Sequence, residues 1–198
     1  MTTSTLARMG NTFLVKEHVG LLKAASNYDI SDLATGKLLL TCREPKLNLL
    51  TKILRFTDYR RMTPFALEVR TETGELVLEV KRGIAFFRSR VNVTDSAGRT
   101  LGTFKQKLFS IGGKFDVLDA SGQLACTLKG QWTGWDFRFA QSDRELARVT
   151  KRWSGIGKEL LTTADNYVLD ISSSVANDHS VRALIMSAVL CIDKVLKE

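Results

Sequence analysis

Cationic side chains carry most of the chemistry in this sequence. Lys81 and Arg82 are followed by Arg88 and Arg90, then by Lys105, Lys107 and Lys114. Residues two apart on an extended strand project from one side, so Arg88 with Arg90, and Lys105 with Lys107, form pairs able to grip phosphate oxygens. Each such cation near an anionic bilayer contributes about 1 kcal/mol. The competing reading is that these charges guard strand exteriors against edge pairing. Phe109 and Ile111 sit between the lysines, as an apolar tip for a bilayer or as core. A second group, Arg144, Arg148, Lys151 and Arg152 beside Trp153, interleaves cations with an aromatic in the manner of single-stranded nucleic-acid sites.

Catalytic parts are missing from the sequence pattern. His18 and His179 are the two histidines, and no zinc-protease, paired-cysteine or nucleophile-elbow motif accompanies them. Gly155-Ile-Gly157-Lys158 lacks the spacing of a phosphate loop. The expectation is a non-enzymatic protein without a cofactor. Twenty-nine Lys and Arg against 21 Asp and Glu give a net charge of +8, which favours anionic partners: phospholipid headgroups first, nucleic acid less so. Cys42, Cys126 and Cys191 are odd in number and lie in apolar or strand-like contexts, so three free thiols in a reducing cytoplasm are expected. The first residues, Met1 to Arg8, carry no signal-like apolar run, which fits a cytoplasmic monomer that visits the inner membrane face peripherally.

The elements that must position these cations are hairpins. Alternating apolar runs flank turns at Gly36, Gly74, Gly98 and Gly122, the last three spaced by 24 residues, and a fifth turn has Asp143 where glycine is expected. Alternation puts Leu76, Leu78 and Val80 on one face with Val77, Glu79 and Lys81 on the other, and opposes Trp135, Phe137 and Phe139 to Asp136 and Arg138. Five hairpins, a preceding strand and a last one at Tyr167–Ile171 make about a dozen strands. The run from Val181 to Asp193 is apolar on every face of a helix, yet Arg182 and Asp193 bracket too few residues to span a bilayer. The fold class is therefore mainly β: a closed antiparallel barrel of about twelve strands around a buried C-terminal helix. One domain covers 1–198, with the helix at 177–197, capped by Asn177 or Asp178. Apolar spacing from Pro45 to Arg61 predicts a short helix at one mouth of the barrel.

Phe115 to Leu128, Trp135-Asp-Phe-Arg-Phe139, Lys151-Arg-Trp-Ser-Gly-Ile156, Ala164-Asp-Asn-Tyr167 and the helix ending Cys191-Ile-Asp193 together resemble the phospholipid scramblase and LURP-one-related families of the tubby C-terminal-like superfamily. The resemblance runs over residues 10 to 198 and implies a twelve-stranded barrel around a hydrophobic helix. It also implies binding of phosphoinositides or other anionic phospholipids, with a protein-interaction scaffold as the alternative function. Scramblases hold calcium just before the final helix, which corresponds here to Asp165, Asn166 and Asp170, with Thr163 in place of the first acid. The proline-rich and cysteine-rich tracts of scramblases have no counterpart, so stable anchoring is not expected.

Overall fold

The turns explain why the chain folds into hairpins. Asp95 Oδ1 accepts hydrogen bonds from the backbone N–H groups of Ala97 and Arg99, each at 2.9 Å. Asp119 Oδ1 repeats this with Ser121 and Gln123, also at 2.9 Å, and Thr71 Oγ1 accepts from Glu75 N–H at 3.1 Å. Gly98 and Gly122, with φ of 75° and 82°, then take the left-handed conformation that ends a three-residue hairpin loop. The Ser121 hydroxyl and the turn amides hold the Asp119 carboxyl below the usual carboxylate range. Burial pushes the Asp95 carboxyl up, but the Arg99 amide and guanidinium outweigh it and leave it lowered. The fifth turn corrects the sequence reading. Its loop is two residues long, and the left-handed residue is Ser142 (φ 53°), not Asp143.

The computed structural model describes residue 6 and residues 9–18, 27–45, 63–84, 90–106, 114–131, 136–151, 166–175 and 180–196, leaving aside the side chains of 106, 131 and 193–196. These form β1 (Thr12–Glu17), β2 (Asn27–Asp32), β3 (Leu38–Arg43), β4 (Phe65–Thr71), β5 (Leu76–Arg82) and β6 (Arg90–Asp95). Then come β7 (Thr100–Gln106), β8 (Phe115–Asp119), β9 (Leu124–Gln131), β10 (Asp136–Gln141), β11 (Arg144–Thr150), β12 (Asn166–Ile171) and one helix, α1 (Ser180–Leu196). Each strand pairs antiparallel with its sequence neighbours, and β1 pairs with β12, closing the barrel as expected. The short helix near Leu47 and the proposed cap residues Asn177 and Asp178 lie outside the described residues.

Every hairpin carries a bulge at the same level. In the second strand of each, one apolar residue is skipped in the register: Leu39, Val77, Leu101, Ala125 and Leu146. A bulge bends its strand and strengthens the local twist, so five in a row curl the sheet toward closure. They also interrupt the alternation. Val77, assigned by parity to the wet face, is 2% exposed because it is the extra residue of its bulge, while Leu78 and Val80 face inward as expected. Val168 is likewise fully buried although it alternates with the inward Tyr167 and Leu169.

The lumen is filled by α1, whose residues 181–192 are all buried. Arg182 is among them at 1% exposure, in the first turn, where the helix dipole disfavours a cation. Its guanidinium donates to Asn11 Oδ1 (2.9 Å), to the Met9 carbonyl (3.1 Å) and to the Gly10 carbonyl, and lies 5.6 Å from the Phe13 ring centroid. Burial lowers its pKa. Midway along β7, Gly102 lets the helix approach: a Cβ there would sit 2.9 Å from Leu184 Cδ1 and overlap the Leu118 carbonyl oxygen. A cavity of about 20 Å³ remains between Phe104, Phe115 and Leu128 of the wall and Cys191 and Ile192 of the helix.

Cys42, Cys126 and Cys191 are free and buried, as the sequence indicates. Desolvation pushes the Cys126 thiol up to about 12, so almost none is thiolate near neutrality. Alkylation by iodoacetamide at pH 8 is expected to modify none of the three thiols in the folded protein and all three in denaturant. Rapid reaction of one under native conditions would show that the lumen opens.

Candidate functional site

Strands β1, β3, β5, β7, β9 and β11 end at the same mouth of the barrel, where their successors begin; the tight turns lie at the opposite mouth. The mouth away from the turns collects the outer cations of β5 to β9. Lys81, Arg90, Lys105, Lys114 and Lys129 are all exposed. Arg90 stands directly opposite Lys105 across the β6–β7 ladder, and Lys129 directly opposite Arg138 across β9–β10. Like charges placed this way repel, at a cost of some tenths of a kcal/mol.

Several other cations of the wall are paired with carboxylates. Arg43 pairs with Asp29, Arg70 with Glu68, Lys81 with Glu79 (2.7 Å) and Arg99 with Asp95 (2.7 Å). Arg148 grips Asp136 with two bonds of 2.9 and 2.8 Å, and Arg138 approaches Asp136 and Glu145 at 3.7 Å each. Those bonds, led by the one from Arg148, hold the Asp136 carboxyl below its usual range. Burial raises the Asp29 carboxyl, yet hydrogen bonds from Arg43 and His18 lower it overall. Among the described residues, Arg90, Lys105 and Lys129 are in no ion pair, and neither are Lys16 and Lys37. The surface thus keeps a short arc rich in positive charge on β6, β7 and β9, with Asp116 of β8 directly opposite Lys105.

Arg82 does not belong to that arc. It is 5% exposed, faces inward opposite Phe65 with its guanidinium carbon 4.9 Å from the ring centroid, and donates to the Thr63 carbonyl at 2.8 Å. Neighbouring strand residues point to opposite faces, so Lys81 and Arg82 cannot share a surface. Arg88 and Lys107, the expected companions of Arg90 and Lys105, lie outside the described residues, as do Phe109 and Ile111. Lys129 and Arg138 were missed by sequence reading; their meeting depends on the β9–β10 register.

The other candidate groups are not assembled. Asn166 and Asp170 lie four residues apart on β12, roughly 13 Å along the strand, whereas two ligands of one calcium ion sit within about 5 Å of each other. Asn166 is 7% exposed, and Asp170 accepts a hydrogen bond from Thr12 at 3.0 Å; Asp165 is outside the described residues. The set therefore does not converge on one ion through this pair. Of the second cationic group, Arg144 binds Ser174 at the turn mouth and Arg148 binds Asp136, while Arg152 and Trp153 lie outside the described residues.

A closed twelve-strand meander sheathing a buried helix defines the class of protein: a β-barrel plugged by its own C-terminal helix. The X-ray structure of a protein from Arabidopsis thaliana shares the fold over 98% of both chains, with a TM-score of 0.55 and 18% identity. The sequence adds the family: the Scramblase model matches residues 18–197, and the chain belongs to the scramblase family. It is also similar to "Altered inheritance rate of mitochondria protein 25" of Saccharomyces cerevisiae, with 23% identity over 196 residues that cover 86% of this chain. The chain spans 59% of the length of that relative. Among the described residues, no helix is long and apolar enough to cross a membrane.

Proposed function

We propose that this protein is a non-enzymatic, peripheral binder of anionic phospholipid, including phosphoinositides, at the cytoplasmic membrane face. The observation that carries the reading is the Arg90–Lys105 pair, two exposed cations held side by side, neither of them in an ion pair among the described residues, with one carboxylate, Asp116, opposite Lys105 on its other side. A phosphate group between them turns mutual repulsion into two charge-assisted hydrogen bonds. Lys81, Lys114 and Lys129 surround this centre. Membership of the scramblase family supports a lipid ligand.

At about 1 kcal/mol per cation, neutralising both members as Arg90→Gln and Lys105→Gln removes about 2 kcal/mol, or roughly thirtyfold in vesicle affinity. Co-sedimentation is the measurement, using phosphatidylcholine vesicles with and without phosphatidylserine or a phosphoinositide at physiological salt. Selective pelleting with the anionic vesicles, lost in the double variant, is expected. Equal pelleting with neutral vesicles, or an unaffected double variant, would overturn the reading and leave a protein-interaction scaffold in its place.

A further inference from the structure

The turn mouth holds a void that packing does not explain. A cavity of about 200 Å³ lies between the β6–β7 turn and the first turn of α1, against the 20 Å³ left beside Cys191 and Ile192. Protein interiors leave few voids larger than a water molecule, and this one has room for on the order of ten. Its floor is apolar: Leu6, Leu78 and Ala183 are all buried, with the half-buried Leu101, the extra residue of the β7 bulge, beside them. Asp95, Arg99 and Thr100 complete the lining. Arg99 and Thr100 are exposed, so the polar end of the cavity is its rim.

The rim sets the charge of an occupant. Asp95 has no capacity left for a ligand: its Oδ1 accepts from the Ala97 and Arg99 amides, and its Oδ2 takes Nε–H of Arg99 with Nη2 also at 2.7 Å. Arg99 is placed differently. Asp95 holds one edge of its guanidinium, while among the described residues Nη1 and the Thr100 hydroxyl have no partner. That grip fixes the fork and leaves donors for a second acceptor. A guanidinium already shared with one carboxylate suits a single negative charge better than a phosphate dianion, and a diacyl phospholipid is far too large for the void.

We infer that the turn mouth binds a small amphiphilic monocarboxylate of about ten heavy atoms, a medium-chain fatty acid in class. Its alkyl chain packs on Leu6, Leu78, Leu101 and Ala183, and its carboxylate accepts from Arg99 and Thr100. The site lies at the opposite mouth from the Arg90–Lys105 pair and stands independently of the lipid-surface reading.

Octanoate is the probe, and 1-octanol, equal in chain length without the charge, is its control. Calorimetric titration of the full chain should show saturable octanoate binding roughly tenfold tighter than octanol, the worth of a charge-assisted hydrogen bond. Ala183→Leu, which fills the floor, should abolish binding of both while leaving the thermal midpoint unchanged or raised. Arg99→Gln should reduce octanoate to the affinity of octanol and leave octanol unaffected. If Leu at 183 prevents folding, Arg99→Gln decides alone, because the side chain it replaces is 71% exposed. No saturable octanoate binding at millimolar concentration, or wild-type octanoate affinity in the Arg99 variant, would overturn the proposal. Equal affinities of the two probes for the unaltered protein would do the same.

Discussion

Arg182→Ala is expected to lower the unfolding free energy by about 3–5 kcal/mol, a large share of the 5–15 kcal/mol typical of a domain. The side chain is 1% exposed, and it ties the helix to Met9, Gly10 and Asn11 at the start of β1. Truncation leaves a cavity, two buried carbonyls and an amide oxygen short of a donor, each worth about 1–3 kcal/mol unless water enters. For a chain of 198 residues this corresponds to a fall in Tm of roughly 10 °C. Arg182→Met separates the contributions, because it refills the volume and removes a buried charge while leaving the oxygens unpaired; its loss should be the smaller. Urea titration of the three proteins is the check, and a loss below about 1 kcal/mol for the alanine variant would mean that the guanidinium does not anchor the helix.

Gly102→Ala should be comparably severe, at about 3 kcal/mol or more, although it adds a single methyl group. The new Cβ would overlap the Leu118 carbonyl oxygen, and backbone cannot step aside as a flexible side chain does. It would also meet both δ-methyls of Leu184, at 2.9 and 3.0 Å. Removing the helix side of the conflict with Leu184→Ala should therefore not rescue the variant, since the carbonyl remains. Gly83→Ala is the control: nothing lies within 4 Å of a Cβ there, and its effect should stay within about 0.5 kcal/mol. Equal stability of the 102 and 83 variants would show that the helix does not seat on β7.

The architecture was legible because its signals are local. Glycine at 74, 98 and 122 demands a left-handed residue, and those three have it, at φ of 88°, 75° and 82°. The helix announced its burial by lacking a polar stripe, and its enclosure followed from strands too numerous to lie flat. Bulges were less legible, since skipping Leu39 or Val77 leaves the residue types unchanged and shifts only their phase. The candidate site was readable in composition and poorly readable in geometry. Parity alone excludes Arg82 from the face of Lys81, a signal present in the sequence and overlooked. The meeting of Arg90 with Lys105, and of Lys129 with Arg138, depends on cross-strand register that no single segment encodes. Arg182, read as the polar boundary of the helix, lies inside because Met9 to Asn11 supply acceptors from the far end of the chain.

Pairing of β1 with β12 has a temporal consequence. Thr12 finds Asp170, 158 positions further on, only once the whole wall has been made, and the stopper that occupies the hollow is made later still. A ribosome thus releases five hairpins whose greasy inner walls have nothing to clasp, a state exposed to aggregation until the final segment arrives. Assembly is then a late, collective event, in which the staves close around their own bung.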